Sequence, residues 1–357
     1  MAILRTELAV RYAATAVALA AILSSCAGKE VKKPPPYDLT LAVAAMQASD
    51  FGEAVHLWTN VLAVDTLTPE QRAEAYRGRG VAHFRLHEVT LALADVQDGI
   101  AVKADSTQLL ILRGLLYLEK REPAKARADF DAVLKIKPDD AAAHAGRART
   151  DLQDGQFDPA ITEMDIAIAA KPYEAGFYAE RGRADLLAGK RDAAIADFDQ
   201  AVGHAPSDAE AYKLRGMALY ETGRFPGALA DLQHSLTLKT DQPYTVIWVH
   251  MAHIRMKDAD QAELLRNLDN LNEKQWPLPI VAFFQGKLTA DQVAALAVSD
   301  NADGERSRTC EAAFYTAQIP VTAKNANDIR RQLLRAEETC PADFVERGMA
   351  RVELGGM

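Results

Sequence analysis

Five guanidinium–carboxylate pairs recur at one spacing. Arginine stands at Arg79, Arg113, Arg147, Arg181 and Arg215, and an acid follows sixteen positions later at Asp95, Asp129, Glu163, Asp197 and Asp231. A planar guanidinium facing a carboxylate can donate two parallel hydrogen bonds, so the chemistry on offer is charge pairing rather than bond breaking. Other candidates are sparse. His83 and His87 have i, i+4 spacing and His250 and His253 have i, i+3, but no third ligand accompanies either pair, so packing or surface roles are expected. Hydrolase elbows, phosphate-binding glycine loops and zinc-protease motifs are absent from the sequence. The expectation is therefore a chain with no catalytic residue, no cofactor and no metal.

The elements that position these pairs follow from the interval between them. Each arginine lies 34 positions after the last, a period that signals a solenoid of helix–turn–helix units. The predicted fold is all-α, a superhelical solenoid of antiparallel helix pairs with a C-terminal helical cap. Composition agrees: 49% of the 357 residues are hydrophobic but only 7% aromatic, and small side chains are plentiful where helices must touch. With the turn near position 15 of each unit, positions 7 and 23 lie opposite each other, so each Arg/acid pair is expected to clasp its own hairpin. The net charge is −9 and no basic block is dense enough to track phosphates, which argues against nucleic acid as a partner.

The units 73–106, 107–140, 141–174, 175–208 and 209–242 resemble tetratricopeptide repeats. Position 4 holds Tyr76, Leu110, His144, Tyr178 and Tyr212. Position 8 holds Gly80, Gly114, Ala148, Gly182 and Gly216, and position 20 is alanine throughout, at Ala92, Ala126, Ala160, Ala194 and Ala228. Pro138, Pro172 and Pro206 stand where the second helix should end. The resemblance implies that the first helix of each unit lines a groove. Its residues would be Phe84, Leu118, Leu152, Leu186 and Tyr220 at position 12, with Leu115, Arg149, Arg183 and Met217 at position 9. Two readings are open for this stripe. It could hold a partner peptide or amphipathic helix, with a carboxylate near Arg149 or Arg183. Alternatively it packs against adjacent first helices or the C-terminal segment.

The flanks are more degenerate. Residues 39–72 read as an opening repeat carrying Phe51, Ala54, Trp58 and Val61, and residues 243–305 as a hairpin followed by two short helices, with Thr289 as an N-cap. Residues 306–357 return to the repeat register, with Cys310 at position 1 and Cys340 at position 31, and end in a capping helix. Both cysteines then fall at the open end of one hairpin, where a disulfide would staple helices that otherwise fray. A redox-switch role is the alternative.

The N-terminus reads as an export signal. Arg5 and Arg11 precede an apolar run from Ala13 to Leu23, too short for a mature transmembrane helix. It closes on Leu23-Ser24-Ser25-Cys26, which resembles the bacterial lipobox, so cleavage after residue 25 and lipidation of Cys26 are expected. Several acyl chains on one cysteine would anchor it durably. Residues 26–38, with Lys29, Lys32, Lys33 and Pro34-Pro35-Pro36, read as a tether. Ala27 stands where an aspartate would favour the inner membrane, so the outer membrane, facing the periplasm, is the expected site.

The C-terminal half has a narrower likeness. Trp276, Ile280-Val281, Phe283 and Gly286, then Phe314-Tyr315, Asp343-Phe344-Val345-Glu346 and Arg351-Val352-Glu353-Leu354 resemble the NlpI lipoproteins. That resemblance implies a periplasmic adaptor for peptidoglycan hydrolases and a processing protease, and a homodimer. A pilotin-like or outer-membrane assembly lipoprotein, binding one membrane-protein client, is the alternative function.

Overall fold

A computed structural model describes residues 39–257, 276–299, 301–318 and 326–355. The export signal, Cys26, the tether and residues 258–275 of the hairpin expected within 243–305 lie outside the described residues. The described residues form eighteen α-helices and no strand. They divide into two compact units, residues 1–150 and 151–357.

The first unit contains α1 (Leu39–Gln47), α2 (Phe51–Leu62), α3 (Pro69–Arg85), α4 (Val89–Val102), α5 (Thr107–Glu119) and α6 (Pro123–Ile136). The division falls near the end of α7 (Ala141–Gln153). Consecutive helices pack as hairpins, α1 on α2, α3 on α4 and α5 on α6. The opening repeat buries Ala54, Trp58 and Val61 on one face of α2. Thr68 starts α3 with a reciprocal capping box to Gln71, with Pro69 at the first helical position, where its missing N–H costs nothing. Position 8 is small because position 24 rests on it: a Cβ on Gly114 would lie 2.7 Å from the Phe130 ring, and one on Gly146, in the next repeat, would overlap the same ring. One aromatic side chain therefore joins two repeats.

The turn at position 15 has a backbone reason. His87, Arg121, Gly155, Gly189 and Gly223, again 34 apart, all take a left-handed conformation, with φ between 57° and 80°. Three are glycine, for which this region carries no Cβ penalty.

The second unit continues with α8 (Phe157–Ala170), α9 (Ala175–Leu187), α10 (Arg191–His204), α11 (Ala209–Glu221), α12 (Phe225–Leu238) and α13 (Pro243–Met256). Two short helices follow, α14 (Leu278–Phe284) and α15 (Ala290–Ala295), the latter capped by Thr289. The closing elements are α16 (Ala302–Thr316), α17 (Ala326–Thr339) and α18 (Val345–Gly355). Helix α16 begins eight residues before the repeat register would start it, because the Asn301 side chain accepts from the Gly304 N–H and caps it there. Its core centres on Trp248, whose ring meets Tyr220 and Tyr315 edge-on at 5.2 and 6.2 Å. A disulfide joins Cys310 on α16 to Cys340 just after α17.

A candidate helix-binding groove in the second unit

The charged pairs come first, since they set the hairpins. Arg79 reaches Asp95 at 2.6 Å and Arg113 reaches Asp129 at 2.6 Å in the first unit. In the second, Arg181 donates to both carboxylate oxygens of Asp197 at 2.8 and 2.7 Å, and Arg215 does the same to Asp231 at 2.6 and 2.8 Å. Arg147 belongs to the first unit, where Asp131 stands 3.6 Å away, and Glu163 to the second. A further acid enters that the clasp geometry did not anticipate. Arg181 also donates to Asp165 at 2.6 Å and Arg215 to Asp199 at 2.8 Å, each sixteen residues before the arginine and so in the preceding hairpin. These arginines bind two repeats, not one.

The histidines are absorbed locally. His83 contacts Glu88 at 2.6 Å, and buried His250 packs 5.1 Å from the Phe284 ring. No group of three metal-ligating side chains occurs among the described residues.

The stripe proposed for a partner is not an open surface. Leu152, Leu186, Met217 and Tyr220 in the second unit expose 2, 4, 5 and 5% of their area. In the first unit Leu115 and Leu118 are buried with Ala126 and Phe130, Phe84 packs at the edge of the core, and Arg149 is half-buried. Beside Arg183, Met217 and Tyr220 lies the segment that carries α18. Helix α18 packs against α9, α16 and α17, and Met349 and Ala350 share one apolar cluster with Met217, Tyr220 and Trp248.

Polar contacts fix α18 at both ends. At its start, Arg183 donates to the Asp343 carbonyl at 2.8 Å, and the Tyr315 hydroxyl donates to Glu346 at 2.8 Å. At its end, Arg255 donates to Glu353 at 3.1 Å, and the Gln318 amide donates to the same carboxylate at 3.3 Å. Arg255 is itself held by Tyr220 at 2.8 Å. Beneath α18, Tyr244 and Trp276 donate to Glu311 at 2.8 and 2.5 Å. Burial pushes the Glu311 carboxyl up to about 7, and the neighbouring Glu346 adds to the rise. Burial also raises Glu346 and Glu353, and pushes Glu221 up to about 7 despite the Arg191 guanidinium 3.0 Å away. A cavity of about 200 Å³ lies beside each end of α18. One is lined by Arg183, Lys213, Glu311 and Glu346, the other by Arg191, Glu221, Arg255 and Glu353.

The tetratricopeptide-repeat profile matches residues 39–107, 111–175 and 180–243, more than half of the chain. The chain belongs to the tetratricopeptide-repeat family. Among solved structures it is similar to a tetratricopeptide repeat protein from Parabacteroides merdae, with 21% identity, a TM-score of 0.54, and 70% of this chain and 97% of that one covered. It is also similar to PilF of Pseudomonas aeruginosa, with 12% identity, a TM-score of 0.50, and 62% and 99% covered. A chain of the Cut9–Hcn1 assembly of the APC/C shares 15% identity at a TM-score of 0.55, with 60% and 42% covered. At these identities the likeness is one of fold. No curated protein sequence matches.

As a tetratricopeptide-repeat protein the chain is a protein-binding scaffold. The repeat register assigns Arg183, Leu186, Met217 and Tyr220 to the groove face. It gave no sign of Arg255, Glu311, Gln318, Glu346 or Glu353, which lie outside the five regular repeats. One signal was available: Glu346, Met349, Ala350 and Glu353 follow i, i+3, i+4, i+7 spacing, an amphipathic face with an acid at either end.

Proposed function

We propose that this protein is a lipid-anchored adaptor of the bacterial periplasm that binds envelope proteins without acting on them chemically. The observation that carries the reading is the groove of the second unit, where apolar side chains flanked by Arg183 and Arg255 hold a helix. Such a surface recognises protein segments by shape and paired charge. The lipobox-like Leu23-Ser24-Ser25-Cys26 supports the anchor, and the Cys310–Cys340 pair supports an oxidising compartment. The NlpI-like segments of the C-terminal half favour peptidoglycan hydrolases and a processing protease as partners, with the outer membrane as the site of anchoring.

Crosslinking in intact cells, affinity capture of the anchored protein and mass spectrometry test this. Recovery of several hydrolases or a protease supports the adaptor reading. Recovery of a single secretin or barrel-assembly component moves the protein to the assembly class. A Cys26→Ser variant should shift from the membrane to the soluble envelope fraction; if it stays on the membrane, the anchor assignment fails.

A further inference from the structure

We infer that the groove lined by α9, α11, α13 and α16 is a site for an acidic amphipathic helix, and that α18 is its intramolecular occupant, displaced when a partner helix of the same pattern binds. The pattern is two carboxylates seven residues apart with a compact apolar pair between them, as in Glu346, Met349, Ala350 and Glu353. This deepens the adaptor reading by naming the partner's chemistry, and rests on it only for the existence of such a partner.

Three features separate α18 from a permanent cap. It is short, eleven residues, and an isolated helix of that length is marginal in water, so it owes its conformation to the groove. It fills the groove incompletely, because a cavity of about 200 Å³ remains beside each of its carboxylates. And cations stand at both ends of the groove: Arg183 and Lys213 lie with Glu311 where Glu346 sits, and Arg255 and Arg191 lie with Glu221 where Glu353 sits. Arg351 and Val352 are exposed on α18, with Arg351 paired to Glu337 of α17 at 2.9 Å. A partner helix with a bulkier apolar residue at the place of Met349 would extend into the cavity beside Glu353, which Met349 lines. The free energy such a partner gains is offset by releasing α18, so the occupant sets a threshold that weak or non-acidic helices do not pass.

The test uses the mature full-length chain and a labelled peptide of residues 343–355, with anisotropy as the readout. Glu353→Arg sets a guanidinium against Arg255 and should loosen α18, leaving the groove free to take the peptide. The variant is expected to bind the peptide about tenfold tighter than the unaltered chain, and a peptide with the same Glu353→Arg change should bind neither. Equal affinity in both proteins, or none in either, overturns the proposal. Should the variant fail to fold, hydrogen exchange on the unaltered chain decides. Amides of 345–355 exchanging about a hundredfold faster than those of α16 support a displaceable helix, and exchange only with global unfolding overturns it. The peptide assay contains no envelope protein, so its failure is separable from a failure of the capture experiment.

Discussion

Arg181 and Asp197 meet across one hairpin through two parallel hydrogen bonds of 2.8 and 2.7 Å, while the remaining edge of the same guanidinium donates to Asp165 of the hairpin before. Asp197 is buried, whereas the arginine side chain keeps 25% of its area in water. The two acids together hold the guanidinium charged, its proton affinity raised above the ordinary arginine value.

Arg181→Ala leaves the Asp197 carboxylate buried without its donor and unlinks two repeats. The expected loss is about 2–3 kcal/mol, below that of a fully buried pair because part of the guanidinium is hydrated. A thermal or denaturant melt checks it, and Arg181→Lys should recover only part of the loss, since a single ammonium cannot make the fork. An unchanged melt for Arg181→Ala would show that the clasp contributes nothing.

Phe130 makes a second kind of link between repeats, and two glycines show its tightness. Gly146→Ala drives a methyl into the Phe130 ring and should destabilise the first unit by about 1–3 kcal/mol. Gly203→Ala, near the end of α10 with open space around its Cα, should instead stabilise by about 0.5–1 kcal/mol through helix propensity. Urea midpoints of the two variants should move in opposite directions.

The buried acids make the second unit sensitive to pH in an unusual sense. Glu311 and Glu221 hold their protons up to about 7 when folded, against 4.5 for an ordinary glutamate. Between those values the folded chain binds protons that the unfolded chain has released. The stability they contribute is complete below the window and is lost as pH rises through about 7. Arg308, Glu346, Tyr244 and Trp276 face Glu311, and Arg191, Glu346 and Glu353 act on Glu221. The melting temperature should therefore fall between about pH 5 and pH 7.5, and the Glu311→Gln/Glu221→Gln double variant should flatten that slope.

The disulfide closes a loop between residues 30 apart and joins α16 to the end of α17, directly before the segment that leads into α18. Reduction, or Cys340→Ser, should cost about 3–4 kcal/mol by the chain-entropy argument. Calorimetry with and without reductant measures it, and the first unit, which holds neither cysteine, should melt unchanged.

The sequence alone determined whatever repeats within 34 residues. Helix pairs, the turn near position 15, the small residue at position 8, and Arg79, Arg113, Arg181 and Arg215 with the acid sixteen positions later are relations inside one hairpin, where chain geometry leaves little choice. Only the tertiary structure decided the rest. Asp165 and Asp199 become partners of Arg181 and Arg215 because successive hairpins stack at one particular angle, which no single period records. Met217 and Tyr220 are covered because a segment 160 positions from Arg183 folds back beside them. Contacts of that separation are set by the sum of apolar burial and charge pairing over the whole second unit, and not by any local pattern of residues.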